Sequence, residues 1–294
     1  MSHIVATSSH AAASPWKLAW LRLTSRWLTV IAMVSLVLLI IACWIGPSLS
    51  PWQESMQDLK LGAQPPSAQH WLGTDSLGRD VATRLLYGGR VSLLVGALAT
   101  AVAIVIGVSY GLLAGMLGGR MDAVMMRVVD ILYAFPFMTF VIILTVVFGR
   151  SFFLLFAAIG AVEWLTMARI VRGQVLVLRE MTFVTAARAM GQSPVGVLRR
   201  HLLPNLSTII LTYLTLTIPA VILDESFLSF LGLGIEDPAA SWGSLLKDGA
   251  QVINPLESKW WLLVFPALLM SASLLALNFL GDGLRDAFDP KSGD

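Results

Sequence analysis

The chain has 294 residues, of which 56% are hydrophobic and only 13% are charged. Soluble proteins average about 25% charged residues, so this composition excludes an ordinary soluble domain and indicates a membrane protein. The formal net charge of +2 provides neither a basic face for nucleic acid nor an acidic tail. The single cysteine, Cys43, excludes an intrachain disulfide and a cysteine-based metal cluster.

Six runs with at most one charge follow one another along the chain, each near or above the roughly 20 residues that cross a bilayer as a helix. The six runs are residues 27–45, 91–117, 131–149, 151–168, 202–223 and 260–281. Because lipid offers the backbone no hydrogen-bonding partners, each run is predicted to be helical. The sequence therefore predicts an all-α, polytopic membrane protein with six transmembrane helices.

The distribution of cations predicts the orientation of these spans. If the N-terminus is cytoplasmic, 13 of the 20 lysines and arginines fall in inside segments and 7 fall in outside segments. This bias predicts a cytoplasmic N-terminal segment 1–26 and a cytoplasmic tail 282–294. The cations at Arg79, Arg84 and Arg90 are the exception, because they lie on the outer side.

The first outer segment contains "GTDSLGRD" (73–80), in which Asp75 and Asp80, with His70, suggest a metal or hydrolytic site. No third ligand follows at a fixed helical spacing, so glycine-rich turns paired with Arg79 are the preferred explanation for these acids. No catalytic residue and no metal ligand is predicted.

The longest internal cytoplasmic segment on this topology is residues 169–201, between the fourth and fifth runs. Its centre is rich in helix formers, and Gly191 suits the left-handed residue that stops a helix. Ser193 and Pro194 suit the N-cap and first position of a second helix, and Pro204 begins the next span. The segment predicts a short, kinked helical hairpin on the membrane face.

Three acidic residues lie within or next to the predicted spans: Glu163, Asp224 and Glu225. An ionisable group at membrane depth is costly and by default indicates a functional position. Asp224 and Glu225 are interpreted as a helix end at the outer interface, with the mouth of a pore as the alternative. For Glu163, pairing with a charge such as Arg169 and contact with a substrate both remain open.

Residues 226–235, "SFLSFLGLGI", follow these acids and are mostly apolar but too short to span a bilayer. They are predicted to form a re-entrant or interfacial piece on the outer side. Gly232 and Gly234 are not a nucleotide-binding fingerprint, because the strand, helix and spacing that it needs are absent.

Residues 185–205, "TAARAMGQSPVGVLRRHLLPN", resemble the EAA loop of permease subunits in bacterial ABC importers. That loop has Glu-Ala-Ala, three residues, Gly, nine residues and Ile-x-Leu-Pro, and here Thr185 replaces the Glu and His201 the Ile. "RHLLPN" resembles the variant in the dipeptide, oligopeptide and nickel permease branch. The residues assigned to this ATPase-coupling loop are Thr185, Ala186, Ala187, Gly191, Ser193, Pro194, Arg199, Arg200, His201 and Pro204.

The resemblance implies that the small residues around Gly191 dock into an ATPase subunit. A helix end packed only within this chain is the alternative explanation for the same residues. Arg199 and Arg200 are explained equally by the general excess of cations on the cytoplasmic side.

Three further blocks resemble the C-type subunit of the same branch, at residues 70–96, 225–246 and 278–290. The resemblance implies the ABC importer permease fold and half of a translocation pore for di- or oligopeptides, with nickel or another small solute as the alternative. It implies a heterodimer with a B-type permease subunit, two cytoplasmic ABC ATPase subunits that bind ATP and Mg, and an extracytoplasmic solute-binding protein. The expected location is the bacterial inner membrane.

Two other classes of protein are disfavoured. A membrane-embedded enzyme needs clustered His, Asp and Glu inside its spans, and a secondary transporter needs inverted repeats and broken spans. The chain also lacks the Gly-x4-Gly-Lys-[Ser/Thr] phosphate loop, so it is expected to be neither the ATPase nor another enzyme, and to hold no cofactor itself.

Overall fold

The computed structural model describes residues 15–235, 237–253 and 257–288, and these are almost entirely helical. The helices are α1 (Pro15–Ser25), α2 (Trp27–Leu49), α3 (Val81–Leu117), α4 (Gly119–Tyr133), α5 (Phe137–Phe148), α6 (Phe152–Leu178), α7 (Thr182–Ala189), α8 (Pro194–Val197), α9 (Leu203–Phe230), α10 (Trp242–Gln251) and α11 (Trp261–Phe288). A π-helical turn (Leu198–Leu202) joins α8 to α9. Within the described residues the only extended pairing is an isolated bridge between Thr74 and Asp80. The all-α prediction is confirmed.

Five helical segments are long and apolar enough to cross a membrane: α2, α3, α6, the continuous stretch Pro194–Phe230, and α11. A sixth span results if α4 and α5 are taken together, but these two helices are bent by 75°. The prediction of one helix over 131–149 is therefore wrong. Pro136 precedes the first residue of α5 and has no N–H to continue α4, so the chain turns there.

The helix α3 begins well ahead of residue 91, where its span was predicted to start. Asp80 caps it, because its Oδ2 accepts a hydrogen bond from the Thr83 N–H at 2.8 Å. Arg90 is also accommodated, since its Nε donates to the carbonyl of Cys43 in α2 at 2.6 Å. The helix continues through these charged residues because each one finds a partner.

Three other helices end later than predicted: α6, α9 and α11 continue past residues 168, 223 and 281. The predicted boundaries followed the last uncharged residue, whereas a helix continues wherever its charged side chains reach solvent or a partner. As a result, residues 169–178 belong to α6 and not to the coupling loop. The predicted tail likewise begins as helix.

The centre of the fold is the contact between α3 and α6. Gly107, Gly111 and Gly115 lie four residues apart on one face of α3, and each touches α6. A Cβ at Gly107 would lie 2.6 Å from the Met167 Cβ, and one at Gly115 would lie 2.7 Å from the Val175 Cβ. Small residues at this spacing allow two membrane helices to approach closely, and they fix α6 against the core.

Candidate coupling surface and transport path

The coupling segment contains the local features that the sequence predicts. Gly191 has φ +82°, which is the left-handed conformation that ends α7. Ser193 caps α8, because its Oγ accepts a hydrogen bond from the Gly196 N–H at 3.1 Å. His201 Nε2 lies 3.0 Å from Gln192 Oε1, so the side chain that replaces the motif Ile ties the turn to the start of α9. The predicted break between two helices is confirmed.

The second half of the predicted hairpin is not a separate helix. From Pro194 the chain is helical without a break through the π-helical turn to Phe230, so α8 and α9 form one stretch. The prediction of a short hairpin is wrong in this respect. Because a packed helix moves as a unit, a displacement of α8 would be carried directly into α9.

The residues of the coupling segment divide into an exposed set and a buried set. The exposed ones are Thr185, Ala186, Arg188, Gly191, Ser193, Pro194, Arg199, Arg200 and Pro204. Ala187, in contrast, is only 1% exposed. The prediction that Ala187 is part of a docking face is therefore wrong, because its methyl group packs inside this chain.

Thr185 uses its side chain locally. Its Oγ1 donates to the carbonyl of Thr182 at 3.0 Å, a bond within the same helical turn. The position where the motif has a Glu therefore presents an exposed methyl and hydroxyl group to any partner, without a negative charge.

Glu225 is a buried structural residue. It lies inside α9 and is 0% exposed. Its carboxylate accepts hydrogen bonds from Ser92 Oγ at 2.8 Å and from Ser229 Oγ at 2.7 Å. The predictions of an outer-interface residue or a pore-mouth residue are both wrong for Glu225, because its partners surround it and join α3 to α9.

The helix α9 also corrects the prediction for the segment after Glu225. Residues 226–230 continue α9, and only the part from Leu231 leaves the helix. Leu228 is fully buried and packs against Val95 and Ile159. The segment is the end of a long helix and not an independent re-entrant piece.

Asp224 and Glu163 have a different environment from Glu225, because both are partly exposed. Their carboxylates are close enough to interact electrostatically across α6 and α9. Arg169 does not neutralise Glu163, as one alternative had it; its Nη2 donates to Asp130 Oδ1 at 2.8 Å. The two acids therefore remain candidates for a polar path.

Further polar groups continue along the same side of α6. Glu163, Thr166 and Arg169 recur every three residues, which places them along one face of the helix. Thr166 Oγ1 lies 3.2 Å from the Tyr133 hydroxyl, and the Arg169 guanidinium lies 4.4 Å from the centre of the Tyr133 ring. Together with Asp224 they form a polar stripe that this chain leaves partly open.

Two family profiles match this chain. The profile of the family described as binding-protein-dependent transport system inner membrane component matches residues 107–293. The profile of the N-terminal TM domain of oligopeptide transport permease C matches residues 14–66. The chain belongs to the binding-protein-dependent transport permease family. It is thus a multi-pass inner-membrane component of an ABC transporter.

Two relatives show how extensive the similarity to this permease family is. The chain is 48% identical over 280 residues to the oligopeptide transport system permease protein OppC of Escherichia coli strain K12, covering 95% of this chain and 92% of the relative. It is 46% identical over 273 residues to the dipeptide transport system permease protein DppC of Bacillus subtilis strain 168, covering 93% and 85%.

A solved structure supports the permease fold. The MetNI methionine ABC transporter, in an inward-facing conformation, matches with a TM-score of 0.58 over 70% of this chain and 96% of the solved chain. The identity is 18%, so this match concerns the fold alone.

The permease also has a buried ion cluster beside the first long loop. Asp75 Oδ2 accepts from Arg79 Nε at 2.7 Å and is also bonded to Arg84. Arg79 Nη1 donates to Asp237 at 3.0 Å. Burial would raise the pKa of Asp75, but the Arg79 backbone hydrogen bond and the Arg84 charge outweigh it and hold that pKa below its usual value.

The sequence predicted only part of this cluster. It indicated glycine-rich turns paired with Arg79, and the bond from Arg79 to Asp75 agrees with that interpretation. The connection to Asp237 lies far along the chain and has no local signal in the sequence. Asp80 lies 2.9 Å from His70 Nδ1 and caps α3, so its carboxylate is used within the chain.

Proposed function

We propose that this chain forms half of the translocation pore of a bacterial ABC importer for di- or oligopeptides. The observation that carries the proposal is the exposed turn around Gly191, which leads through α8 into the apolar helix α9. A partner that moves this turn would move a pore helix. The names of the relatives, oligopeptide and dipeptide permeases, favour peptides over nickel.

Three kinds of partner follow from this function. Two cytoplasmic ABC ATPase subunits bind ATP and Mg and contact the coupling segment. A B-type permease subunit covers the open side of the polar stripe and completes the pore as a heterodimer. An extracytoplasmic solute-binding protein delivers the peptide, and the bilayer covers the remaining apolar faces.

The proposed mechanism is alternating access. Closure of the ATP-bound subunits displaces α7 and the turn at Gly191, and α8 passes the displacement to α9. The pore then opens outward and accepts the peptide from the binding protein, and ATP hydrolysis reverses the change. Moving such an equilibrium from 1:99 to 99:1 requires about 5.5 kcal/mol of differential binding, which suits a packed helix better than one surface ion pair.

The proposed orientation has both termini in the cytoplasm. It rests on the excess of cations in the inside segments. The termini themselves, residues 1–14 and 289–294, lie outside the described residues. On this orientation the loop from 50 to 80 and the helix α10 are extracytoplasmic, and the coupling segment is cytoplasmic.

Cysteine labelling tests the orientation. With Cys43 replaced by alanine, a cysteine at Gln57 or Gln251 is expected to react with an impermeant thiol reagent outside intact cells, because both positions are exposed on the proposed outer side. A cysteine at Met190, which is 77% exposed, is expected to react only after the cells are opened. The opposite pattern would reverse the orientation.

Uptake by the assembled importer tests the function. Vesicles that contain the chain with its B-type partner and ATPases, supplied with the solute-binding protein, are expected to import labelled di- or oligopeptides when ATP is present. Nickel is the comparison solute. Import of nickel without peptide would contradict the proposal, and so would peptide import that does not require ATP.

The same assay examines the two acids of the polar stripe. Carboxylates in a pore raise the local concentration of cationic groups, an effect that weakens with added salt. Glu163→Gln with Asp224→Asn is therefore expected to raise KM for peptides with a free amino terminus, with less effect on amino-acetylated peptides. An equal change for both peptides would show that the acids are structural.

A further inference from the structure

A pocket of about 250 Å³ lies beside the outer end of α9, away from the coupling surface. Its walls come from Arg150 before α6, from Ser229 and Gly232 at the end of α9, and from Lys247 and Asp248 in α10. Asp237 completes the charged lining. The pocket is large enough for the end of a peptide but smaller than most sites that enclose a whole ligand, which are roughly 300–1,000 Å³.

The two acids of this pocket are partly compensated by buried arginines. Asp237 Oδ1 accepts from Arg79 Nη1 at 3.0 Å, and Asp248 Oδ2 lies 3.6 Å from Arg84 Nη1. Burial raises the pKa of Asp248, although the Arg84 charge opposes this change. Arg79 and Arg84 also bind Asp75, so these two cations offset two of the three acids and leave one negative charge in the cluster.

The two cations of the pocket have no such compensation among the described residues. Arg150 is exposed and Lys247 is partly buried, and neither forms a salt bridge with a described acid. Glu236 is outside the described residues, so this comparison of charges does not include it. The described charged residues in and behind the pocket have a net charge of +1, from the cations Arg79, Arg84, Arg150 and Lys247 and the acids Asp75, Asp237 and Asp248.

The remaining polar groups point to the same ligand chemistry. Ser229 donates its hydroxyl proton to Glu225, and Ser244 donates its own to the Ser241 carbonyl. Gly232 has φ +81°, and a Cβ there would lie 3.0 Å from Lys247 Nζ, so the glycine leaves the ammonium group uncovered. Among the described serine, lysine and arginine side chains of the pocket, the free hydrogen-bond donors are thus the ammonium and guanidinium groups, and both favour a carboxylate.

We propose that Arg150 and Lys247 bind the free carboxylate of the peptide as it passes from the solute-binding protein into the pore. This inference rests on the proposed function and on the proposed orientation, which place the pocket on the delivering side. A guanidinium binds a carboxylate through two parallel hydrogen bonds, and the ammonium adds a second charge. Because the pocket is open to water, these charge interactions are screened, and the peptide can be released into the pore.

The test compares one peptide as the free acid and as its C-terminal amide. Uptake is measured in vesicles with Arg150→Gln, Lys247→Gln and the double variant, always with the same solute-binding protein. For the double variant we expect KM for the free acid to rise about tenfold, since two charge-assisted hydrogen-bonding groups are lost. KM for the amide is expected to stay within about twofold, as is the ATP-stimulated rate at saturating amide. Lys60→Gln, an exposed cation of the first long loop, is the control.

Other results would contradict either this proposal or the proposed function. An equal rise in KM for the free acid and the amide would overturn the proposal, and so would a weaker affinity of the variant for the empty solute-binding protein. Either result would mean that Arg150 and Lys247 take part in docking of the binding protein. Unchanged KM values would overturn it outright. If the double variant does not assemble, the KM values of the Arg150→Gln variant alone test the proposal, because Arg150 is exposed. Failure of the wild-type complex to import either peptide would instead contradict the proposed function.

Discussion

Replacing Gly191 with tryptophan is expected to abolish peptide uptake while the protein stays in the membrane. In this chain nothing lies within 4 Å of a Cβ added at Gly191, so the indole would project into open space. The same space is where an ATPase subunit docks in the proposed complex. A bulky side chain there would hold the two surfaces apart and disconnect ATP binding from α9.

Backbone strain has to be separated from this steric effect. The left-handed conformation at Gly191, φ +82°, costs a residue with a side chain about 1–2 kcal/mol whatever its size. Gly191→Ala shares this cost but adds only a methyl group, so it is expected to keep most of its uptake. Gly62, with φ +55° and nothing within 4 Å of an added Cβ, provides a matched control for tryptophan.

The measurements are uptake, the amount of the chain in the membrane, and recovery of the ATPase subunits with it. The expected order of uptake is wild type, then Gly191→Ala, with Gly191→Trp at background and Gly62→Trp near wild type. If the alanine and tryptophan variants are equally impaired, strain is the cause. If tryptophan leaves uptake and ATPase recovery normal, Gly191 does not lie at the contact.

The features of this fold that are local in the sequence could be predicted. Long uncharged runs indicate helices because lipid leaves the backbone no other partner. The break at Gly191 and the cap at Ser193 could be predicted because each depends on the conformation of one or two residues. The spacing of Gly107, Gly111 and Gly115 is also a local signal for close helix packing.

The predictions that were wrong concern residues whose environment depends on partners far along the chain. Glu225 was assigned to an exposed position because its sequence neighbours give no sign of Ser92, which lies on α3 and donates to it. Ala187 was assigned to a docking face because a small residue fits both a partner and the interior. The predicted helix ends were wrong for the same reason. Arg90 lies within α3 and not in a loop, and its hydrogen bond is accepted by the Cys43 carbonyl in α2.

Arg84 is the residue whose loss is expected to destabilise this chain most. Its side chain is only 2% exposed, and it is bonded to Asp75 and lies 3.6 Å from Asp248. It therefore ties the first long loop to α3 and α10. Arg84→Met keeps the apolar stem but removes the charge, and breaking a buried pair in this way costs about 3–5 kcal/mol because the acid stays buried.

We expect Arg84→Met to lower the melting temperature of the purified complex by several degrees, since about 1 kcal/mol corresponds to a shift of roughly 2–4 °C in a domain of 150–250 residues. The double variant Arg84→Met with Asp75→Asn is expected to recover part of this loss, because the unpaired charge is removed. Lys60→Met, at an exposed position, is the control for loss of a cation.

The pH dependence of the melting temperature is an independent test of the contact between Arg84 and Asp75. The pKa of Asp75 is held below its usual value, so its contribution to stability is present above the unfolded-state pKa and is lost as the pH falls through the folded-state pKa. Removing Arg84 takes away one cause of that low pKa, so the variant should lose less of its stability on acidification than the wild type. A melting temperature that falls equally in both proteins as the pH is lowered from about 5 through the folded-state pKa of Asp75 would show that Arg84 does not act on Asp75. An Arg84→Met variant as stable as the wild type at neutral pH would mean that the remaining bonds from Arg79 are enough to hold the loop.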